Sequence, residues 1–195
     1  YRKAARLIRS AAQEGLPQSQ YAMGHMYYKG FGVEQDFKEA AFWFKLAADQ
    51  GFAPAQTNLG LMYIRGQGVA CDNRNAAKYL ELAAAQGRVV AMTNLAIMHL
   101  KGSGMARDHG EAARYLHEAA EQGYGPAQNK LARMYEYGRG VEKNDLMAYM
   151  WYKLASSHGI KTADQRKDVL ASKLTSAQME KAKQKTENYF AAATP

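Results

Sequence analysis

Residues 55–87 read AQTNLGLMYIRGQGVACDNRNAAKYLELAAAQG, and this stretch contains one complete structural unit. In its first part, residues 55–65, apolar side chains lie three and four positions apart, which is the spacing of an α-helix. Gly66 then marks a turn, and Asp72 is a residue type that caps helix N-termini. A second helical pattern ends at Gly87, since glycine tolerates the positive φ that is common after a helix. The stretch therefore predicts a pair of antiparallel helices.

The same pattern returns every 36 residues along nearly the whole chain, without an insertion or deletion. The columns that keep this period are Gly15/Gly51/Gly87/Gly123/Gly159, Gly30/Gly66/Gly102/Gly138, Gly32/Gly68/Gly104/Gly140, Ala4/Ala40/Ala76/Ala112/Ala148 and Ala11/Ala47/Ala83/Ala119/Ala155. A fixed period of this length is the signature of a repeat array, in which each unit buries its apolar face against its neighbours. No β-strand is expected. The predicted helices cover residues 19–29, 36–50, 55–65, 72–86, 91–101, 108–122, 127–137 and 144–158.

The composition of individual columns predicts how these helices meet. One column holds only small residues, which allows two helix backbones to approach closely: Gly24/Gly60/Ala96/Ala132. Larger apolar residues are predicted to fill the core in two further columns: Met23/Leu59/Leu95/Leu131 and Trp43/Tyr79/Tyr115/Trp151. A short acid or amide precedes each second helix and is predicted to cap it: Asp36/Asp72/Asp108/Asn144.

The run AQxNLGxMYxxGxGVxxD, followed by AxxY/WxxxAAxxG, resembles the Sel1-like repeat, a relative of the tetratricopeptide repeat. The third unit departs most from this pattern, with Ala96, His99 and Met105 in place of glycine, tyrosine and valine. The resemblance implies an all-α fold, a right-handed α-solenoid of antiparallel helix pairs with the first helix of each pair on the concave side. The array is expected to span residues 1–160, as a partial unit at 1–14 and full units at about 19–50, 55–86, 91–122 and 127–158.

The repeat stops after Gly159, and residues 161–190 are predicted to form capping helices. Thr162 and Thr175 each begin a helical pattern with the spacing of a capping box. A cap is expected here because the last unit of a solenoid needs a cover with one polar face. Residues 191–195 are expected to form a disordered tail.

The chain has a formal net charge of +8 and a pI of about 9.5, which favours an anionic partner. Lysine and arginine are spread over all units and no nucleic-acid-binding module is visible, so nucleic acid is not expected. An acidic protein or peptide segment fits better. The C-terminal lysines Lys181, Lys183 and Lys185 are a second candidate for such contacts, although acidic residues interrupt them.

The sequence contains no convincing enzymatic motif. Gly30-Phe31-Gly32 looks like a phosphate-binding loop, but it lacks a third glycine, follows no strand and has a counterpart in every unit. The histidines lack zinc-binding spacing, and the single cysteine, Cys71, excludes an intrachain disulfide and a cysteine-based zinc site. No nucleophile elbow is present. We therefore predict no catalytic, cofactor-binding or metal-binding residues.

The candidate binding surface follows from the columns that vary between repeats. Four such columns remain on the first helices after the core columns are removed, and three of them form one stripe because they lie three and four residues apart. Asparagine offers a donor and an acceptor to an extended peptide backbone, and Lys29, Arg65 and Lys101 form a basic column. The alternative is that these side chains are ordinary solvated helix residues. The predicted protein- or peptide-binding residues are Tyr21, His25, Lys29, Asn58, Arg65, Asn94, Lys101, Lys130 and Arg133.

The resemblance also implies a class of function, because Sel1-like proteins act as adaptors. We expect a non-enzymatic scaffold that binds a protein or peptide on its concave face. Many bacterial members serve in envelope organisation, polarity, motility or secretion, and residues 148–152 are similar to bacterial members. A periplasmic or envelope protein is the first interpretation and a cytosolic adaptor the second. An enzyme, or a host-interaction factor that regulates an enzyme, is the alternative class.

The sequence leaves the cellular location open. No stretch has the run of about 18 apolar residues that spans a bilayer, and no signal peptide is visible. The chain starts at Tyr1, inside a helical pattern and without an initiator methionine, so we expect a fragment. A leader, a membrane anchor or further repeats before Tyr1 are all compatible with the sequence, and so is any oligomeric state.

Overall fold

The computed structural model describes residues 2–193, and within this range it contains eleven helices and no β-strand. The prediction of an all-α fold built from helix pairs is confirmed, because each of the four sequence repeats contributes two successive helices. The helices are α1 Arg2–Gln13, α2 Pro17–Lys29, α3 Phe37–Asp49, α4 Ala53–Arg65, α5 Asn73–Ala84, α6 Val89–Lys101, α7 His109–Glu121, α8 Gly125–Tyr137, α9 Asp145–Ser157, α10 Lys161–Ala171 and α11 Ser176–Ala193.

The chain divides into two compact units, the first ending at Arg107 and the second beginning at Asp108. The first unit contains α1 to α6 and the second contains α7 to α11. The boundary between the two units lies inside the third repeat. Both predicted capping helices, α10 and α11, pack against α9. The cap therefore shares a compact unit with the last repeat.

The first helix of each repeat begins two residues earlier than predicted, at positions 17, 53, 89 and 125. Three of these helices carry a proline, Pro17, Pro54 or Pro126, at their first or second position. Proline is tolerated there because the N–H groups of the first turn have no partner within the helix. The predicted starts excluded these prolines, whereas the folded chain includes them.

Second helices are capped as the sequence predicted. The Asp36 carboxylate accepts hydrogen bonds from the backbone N–H groups of Lys38 (2.8 Å) and Glu39 (3.1 Å). Asp72, Asp108 and Asn144 cap the later second helices in the same way. Such caps contribute about 0.5–2 kcal/mol each relative to alanine. These hydrogen bonds fix the residue at which every second helix starts.

Close contact within helix pairs explains the column of small residues. A Cβ atom at Gly24 would lie 2.6 Å from Cδ1 of Phe44, and one at Gly60 would lie 2.8 Å from Cγ of Leu80. Phe44 and Leu80 are fully buried on α3 and α5. The predicted close approach of the two helices is therefore confirmed in the first two repeats.

Buried glutamines connect the helices of a pair, a feature that the sequence analysis missed. Gln20 and Gln56 are almost fully buried on α2 and α4. The amide nitrogen of Gln50 donates to Oε1 of Gln20 over 2.7 Å, and Gln86 donates to Gln56 over 2.9 Å one repeat later. A buried amide without a partner would destabilise the fold by about 1–3 kcal/mol. In the first two repeats this bond removes that penalty and links the first helix to the end of the second.

A buried ion pair holds α10 against α8. Glu136, whose side chain is only 6% exposed, accepts hydrogen bonds from both Nη2 and Nε of Arg166. The hydroxyl of buried Tyr152 donates to the same carboxylate over 2.8 Å, and burial raises the pKa of that phenol. Arg166 also donates to the hydroxyl of Tyr137 over 2.9 Å. This ion pair ties the first capping helix, which packs on α9, to the preceding helix of the last repeat.

The second capping helix, α11, extends to Ala193. The tail that we expected to be disordered, residues 191–195, overlaps this helix at 191–193, and its last two residues lie outside the described part of the chain. The three C-terminal lysines that were a second binding candidate are exposed on α11: Lys181, Lys183 and Lys185.

Replacing Gly87 with valine is expected to lower the free energy of unfolding by about 1–3 kcal/mol, because a β-branched residue is strained at positive φ. Gly87 has a φ of +81° and no heavy atom within 4 Å of a Cβ placed there, so the expected loss is backbone strain alone. Urea unfolding of both proteins measures it. The matched control is Ala85→Val, at an exposed position with a φ of −59°. Equal losses in the two variants would show that positive φ has no energetic role at Gly87.

Candidate peptide-binding surface

Four of the predicted binding residues line one cleft in the first unit. His25 and Lys29 on α2 face it from one side, and Asn58 and Arg65 on α4 face it from the other. His25 and Lys29 share a helix face because they lie four residues apart. The cleft has a volume of about 230 Å³. The rest of its wall is formed by Tyr28, Leu61 and Met62.

Tyr28 lies close to both cations of the cleft. Nη1 of Arg65 donates to the Tyr28 hydroxyl over 3.3 Å, and Nζ of Lys29 lies 5.5 Å from the centroid of the ring. The phenol is held from the other side, because its hydroxyl donates to Oε1 of Gln67 and its ring packs edge-to-face on Phe37. Tyr28 therefore has a fixed position beside both positive charges.

The positive charges of Lys29 and Arg65 are not neutralised by acidic side chains. Both side chains are exposed, and among the described residues neither forms an ion pair. Exposed charges attract a ligand over roughly one Debye length, about 8 Å at physiological ionic strength. This edge of the cleft is therefore suited to a carboxylate, and salt should weaken the attraction.

The two predicted asparagines differ in what their amides already bind. Asn58 is half-buried in the wall of the cleft, and its amide has no hydrogen-bond partner within residues 2–193. The Nδ2 group of Asn94 donates to the Val90 carbonyl of its own helix over 2.7 Å. Asn58 therefore keeps a donor and an acceptor for a ligand, whereas Asn94 has already used one donor.

Two further predicted residues of the first unit lie away from the cleft. Tyr21 is half-buried, and its ring centroid lies 5.6 Å from that of Phe44 and 5.3 Å from that of Phe52. These contacts make Tyr21 part of the core of the first repeat. Lys101 is exposed at the last residue of α6 and is not part of the cleft wall.

The remaining predicted residues, Lys130 and Arg133, belong to α8 in the second unit. Arg133 lines a cleft of about 280 Å³ whose other walls come from α9 and α10. Thr162 and Arg166 of α10 complete this cleft, and Nδ2 of Asn129 donates to the Thr162 hydroxyl over 3.4 Å. Lys130 is half-buried and lies outside the cleft wall.

Tyr28 is the functional candidate that the sequence analysis missed. Its column, Tyr28/Ile64/Leu100/Glu136, varies from repeat to repeat as strongly as the predicted columns do. This variation could have identified the column as one that carries specific contacts, since its fourth member is the carboxylate that binds Arg166. Its two middle members, Ile64 and Leu100, are apolar, which is typical of a core position.

No group of three or more histidine, cysteine, aspartate or glutamate side chains in residues 2–193 is placed to hold a metal ion. Cys71 is exposed, and its thiol donates to the Ile64 carbonyl over 3.6 Å. None of the helices in the same range combines the length and the apolar character needed to cross a membrane. Two cations, an amide and an apolar floor offer contacts to a polar, acidic segment.

The Sel1 repeat model matches residues 17–52, 53–87, 89–124 and 125–160. These segments begin where α2, α4, α6 and α8 begin. A protective antigen present in uropathogenic Escherichia coli strains, which displays an SLR fold, matches 96% of the chain with 34% identity and a TM-score of 0.89. A Sel1 repeat protein from Oxalobacter formigenes matches 84% of it with 32% identity and a TM-score of 0.79. The predicted resemblance is confirmed.

A likeness in fold alone extends to an immunity protein from Pseudomonas aeruginosa, with 23% identity and a TM-score of 0.53 over 83% of this chain and 60% of that one. No curated protein matches the sequence. The chain spans 40% of the length of the E. coli antigen and 65% of the O. formigenes protein.

Proposed function

Because the chain belongs to the Sel1 repeat family, whose members are generally protein-interaction modules, we propose that it is a non-enzymatic scaffold that binds an acidic peptide segment in the cleft between α2 and α4. The observation that carries the proposal is the pair of unneutralised cations, Lys29 and Arg65, both close to the fixed ring of Tyr28. A carboxylate of the partner would lie between them. The amide of Asn58 would bind the backbone of the partner.

We also propose that this scaffold serves in the bacterial cell envelope, in its organisation, in polarity, in motility or in secretion. The support is the 34% identity with the E. coli antigen over nearly the whole chain. A cytosolic adaptor is the second candidate. Fractionation of the native bacterium, with an antibody against this chain, separates the periplasm from the cytosol and decides between them.

The double substitution Asn58→Ala with Arg65→Ala is expected to weaken binding of an acidic peptide by roughly 5–150-fold. The range corresponds to about 1–3 kcal/mol for two lost hydrogen bonds. The probe is an acidic peptide selected on the wild-type chain from a random library, and fluorescence anisotropy gives its Kd. Higher salt should weaken binding to the wild type more than binding to the variant, because only the wild type retains both exposed charges.

Matched controls separate the cleft from general surface charge. Arg74→Ala removes an exposed arginine of α5, and Asn94→Ala removes an asparagine whose amide already serves its own helix. Both should bind the peptide within about twofold of wild type. Full binding by the double variant would refute the cleft between α2 and α4 and direct attention to the cleft at Arg133 or to the lysines of α11.

A further inference from the structure

In the second unit, a tyrosine from the last helix fills a groove beside Trp151. The ring of Tyr189 on α11 packs edge-to-face against Trp151, with 5.6 Å between centroids. Its hydroxyl donates to the carbonyls of Ala120 (2.7 Å) and Glu121 (2.9 Å) at the end of α7. Carbonyls of a last helical turn need donors from outside the helix, and at Ala120 Tyr189 shares this role with Gly123 and Gln128.

The repeat places an equivalent groove in the first unit. Trp43 corresponds to Trp151, since 151 − 43 = 108 is three periods of 36 residues, and Gln13 corresponds in the same way to Glu121. Trp43 and Gln13 line an open groove of about 630 Å³. Trp43 is 8% exposed and Trp151 is 2% exposed, as expected if only the second is covered by a tyrosine.

In the second repeat, the position equivalent to Trp43 and Trp151 makes different contacts. Its residue in the tryptophan column is Tyr79, whose ring stacks on Tyr63 with 6.0 Å between centroids. The hydroxyl of Tyr79 donates to Asp49 over 3.2 Å, and burial raises the pKa of the phenol. A tyrosine in this column thus supplies its own hydroxyl to the preceding second helix. A tryptophan has no hydroxyl, and at Trp151 the hydroxyl that reaches the preceding second helix comes from Tyr189 of α11.

The open groove has an acidic rim. Glu34 and Glu39 both line it and are exposed, and neither forms an ion pair within the described part of the chain. Arg9 also lines the groove, but it donates to the Tyr27 hydroxyl over 2.6 Å. The helix that fills the equivalent groove is rich in lysine, because α11 exposes Lys181, Lys183 and Lys185.

We propose that the groove formed by Gln13, Tyr27, Glu34, Glu39 and Trp43, the Trp43 groove, docks a basic α-helix of another protein that presents a tyrosine to Trp43. The tyrosine ring packs on the indole and its hydroxyl donates to the carbonyls at the end of α1, as Tyr189 does at the end of α7. Lysines of the docked helix face Glu34 and Glu39. A tyrosine buries roughly 150–250 Å² and is a frequent hot spot of binding energy. The Trp43 groove shares no residue with the cleft at Lys29 and Arg65.

The binding probe is a synthetic peptide with the sequence of residues 176–193, which form α11. The chain has two tryptophans, so a Trp151→Phe background leaves Trp43 as the only indole, and its emission reports on the Trp43 groove. We expect a saturable change in emission when the peptide is added to the full chain. A peptide with Tyr189→Ala should bind at least about tenfold more weakly, and one with Tyr189→Phe should lose part of that affinity.

Charge-reversal variants test whether the peptide binds in the Trp43 groove. Glu34→Lys with Glu39→Lys should weaken peptide binding at least about fivefold, with a strong dependence on salt. The matched control is Glu142→Lys, since Glu142 is the counterpart of Glu34 in the fourth repeat. Arg65→Ala should leave peptide binding unchanged, which keeps this test separate from that of the cleft.

Three results would overturn the proposal. The first is no change in Trp43 emission up to about 1 mM peptide, the weakest affinity of interest. The second is a loss of binding with Glu142→Lys but not with the Glu34 and Glu39 reversals, because the peptide would then be displacing α11 from its own groove. The third is self-association of the chain that the reversals abolish, measured by sedimentation, since the docked helix would then be α11 of a second copy.

Discussion

Replacing Gly68 with alanine is expected to lower the free energy of unfolding by about 3–5 kcal/mol, the sum of positive-φ strain and an overpacked contact. Gly68 has a φ of +71°. A Cβ there would overlap the Phe37 carbonyl and lie 2.8 Å from the Lys38 nitrogen. Both are backbone atoms at the start of α3, so no side-chain rotation relieves the clash. The turn and the helix would have to separate.

Gly87→Ala is the matched control for this substitution. It introduces the same methyl group at a φ of +81°, where no heavy atom lies within 4 Å of the added Cβ. Urea unfolding, followed by far-ultraviolet circular dichroism, should give a loss of about 1 kcal/mol for the control. Losses of similar size at Gly68 and Gly87 would show that the turn does not need its close approach to α3. Gly140, whose Cβ would overlap the His109 carbonyl, is expected to behave like Gly68.

Arg166→Met is expected to lower the free energy of unfolding by about 2–4 kcal/mol, because it leaves the Glu136 carboxylate buried without its cation. The lower part of the range allows for the partial exposure of the arginine, whose side chain is 39% accessible. The loss should be accompanied by release of α10, which holds its place on α8 through this pair. Urea unfolding gives the energy, and amide hydrogen exchange in Lys161–Ala171 reports on the helix.

The residues at the same positions in earlier repeats suggest a variant that should restore the lost stability. The column of Glu136 holds Ile64 and Leu100 in earlier repeats, and the column of Tyr152 holds Phe44. The triple substitution Glu136→Leu, Tyr152→Phe and Arg166→Met removes the buried carboxylate together with both of its hydrogen-bond donors. It should recover most of the lost stability, since replacing a whole buried ion pair by apolar residues is often neutral. A triple variant as unstable as Arg166→Met would show that the single loss comes from packing of the arginine stem.

The sequence predicted the helix pairs, their turns and their caps, because these depend on residues that are close together in the sequence. A cap such as Asp36 needs only the backbone N–H groups two and three residues further along the chain, and a helical face needs only its own spacing. The column with Gly24 and Gly60 was predictable for a related reason, since identical packing recurs in each unit. At three of the four helix starts the error of two residues arose from Pro17, Pro54 and Pro126, which are compatible with either side of a helix boundary. The same error at Val89, where no proline is present, has no such explanation.

The candidate cleft was predictable in part. Variable columns identified Lys29, Asn58 and Arg65, which line one cleft. The same rule also selected Tyr21, which packs on Phe44 in the core. A column pattern gives the direction of a side chain from its helix, but it does not tell what lies in that direction. That depends on the size of residues on neighbouring helices.

The sequence by itself determined the unit of this protein: its 36-residue period, its helix pairs, its glycine turns and its membership of a repeat family. Only the tertiary structure decided how the repeats differ from one another. The Glu136–Arg166 pair joins residues 30 positions apart, and the bond from Tyr189 to Ala120 joins residues 69 apart. Such contacts have no periodic or local signature, because they form only where packed helices bring distant side chains together. Both grooves lie beside a tryptophan from the same repeat column. The groove beside Trp151 is filled by Tyr189, which is distant in the sequence, whereas the groove beside Trp43 is open.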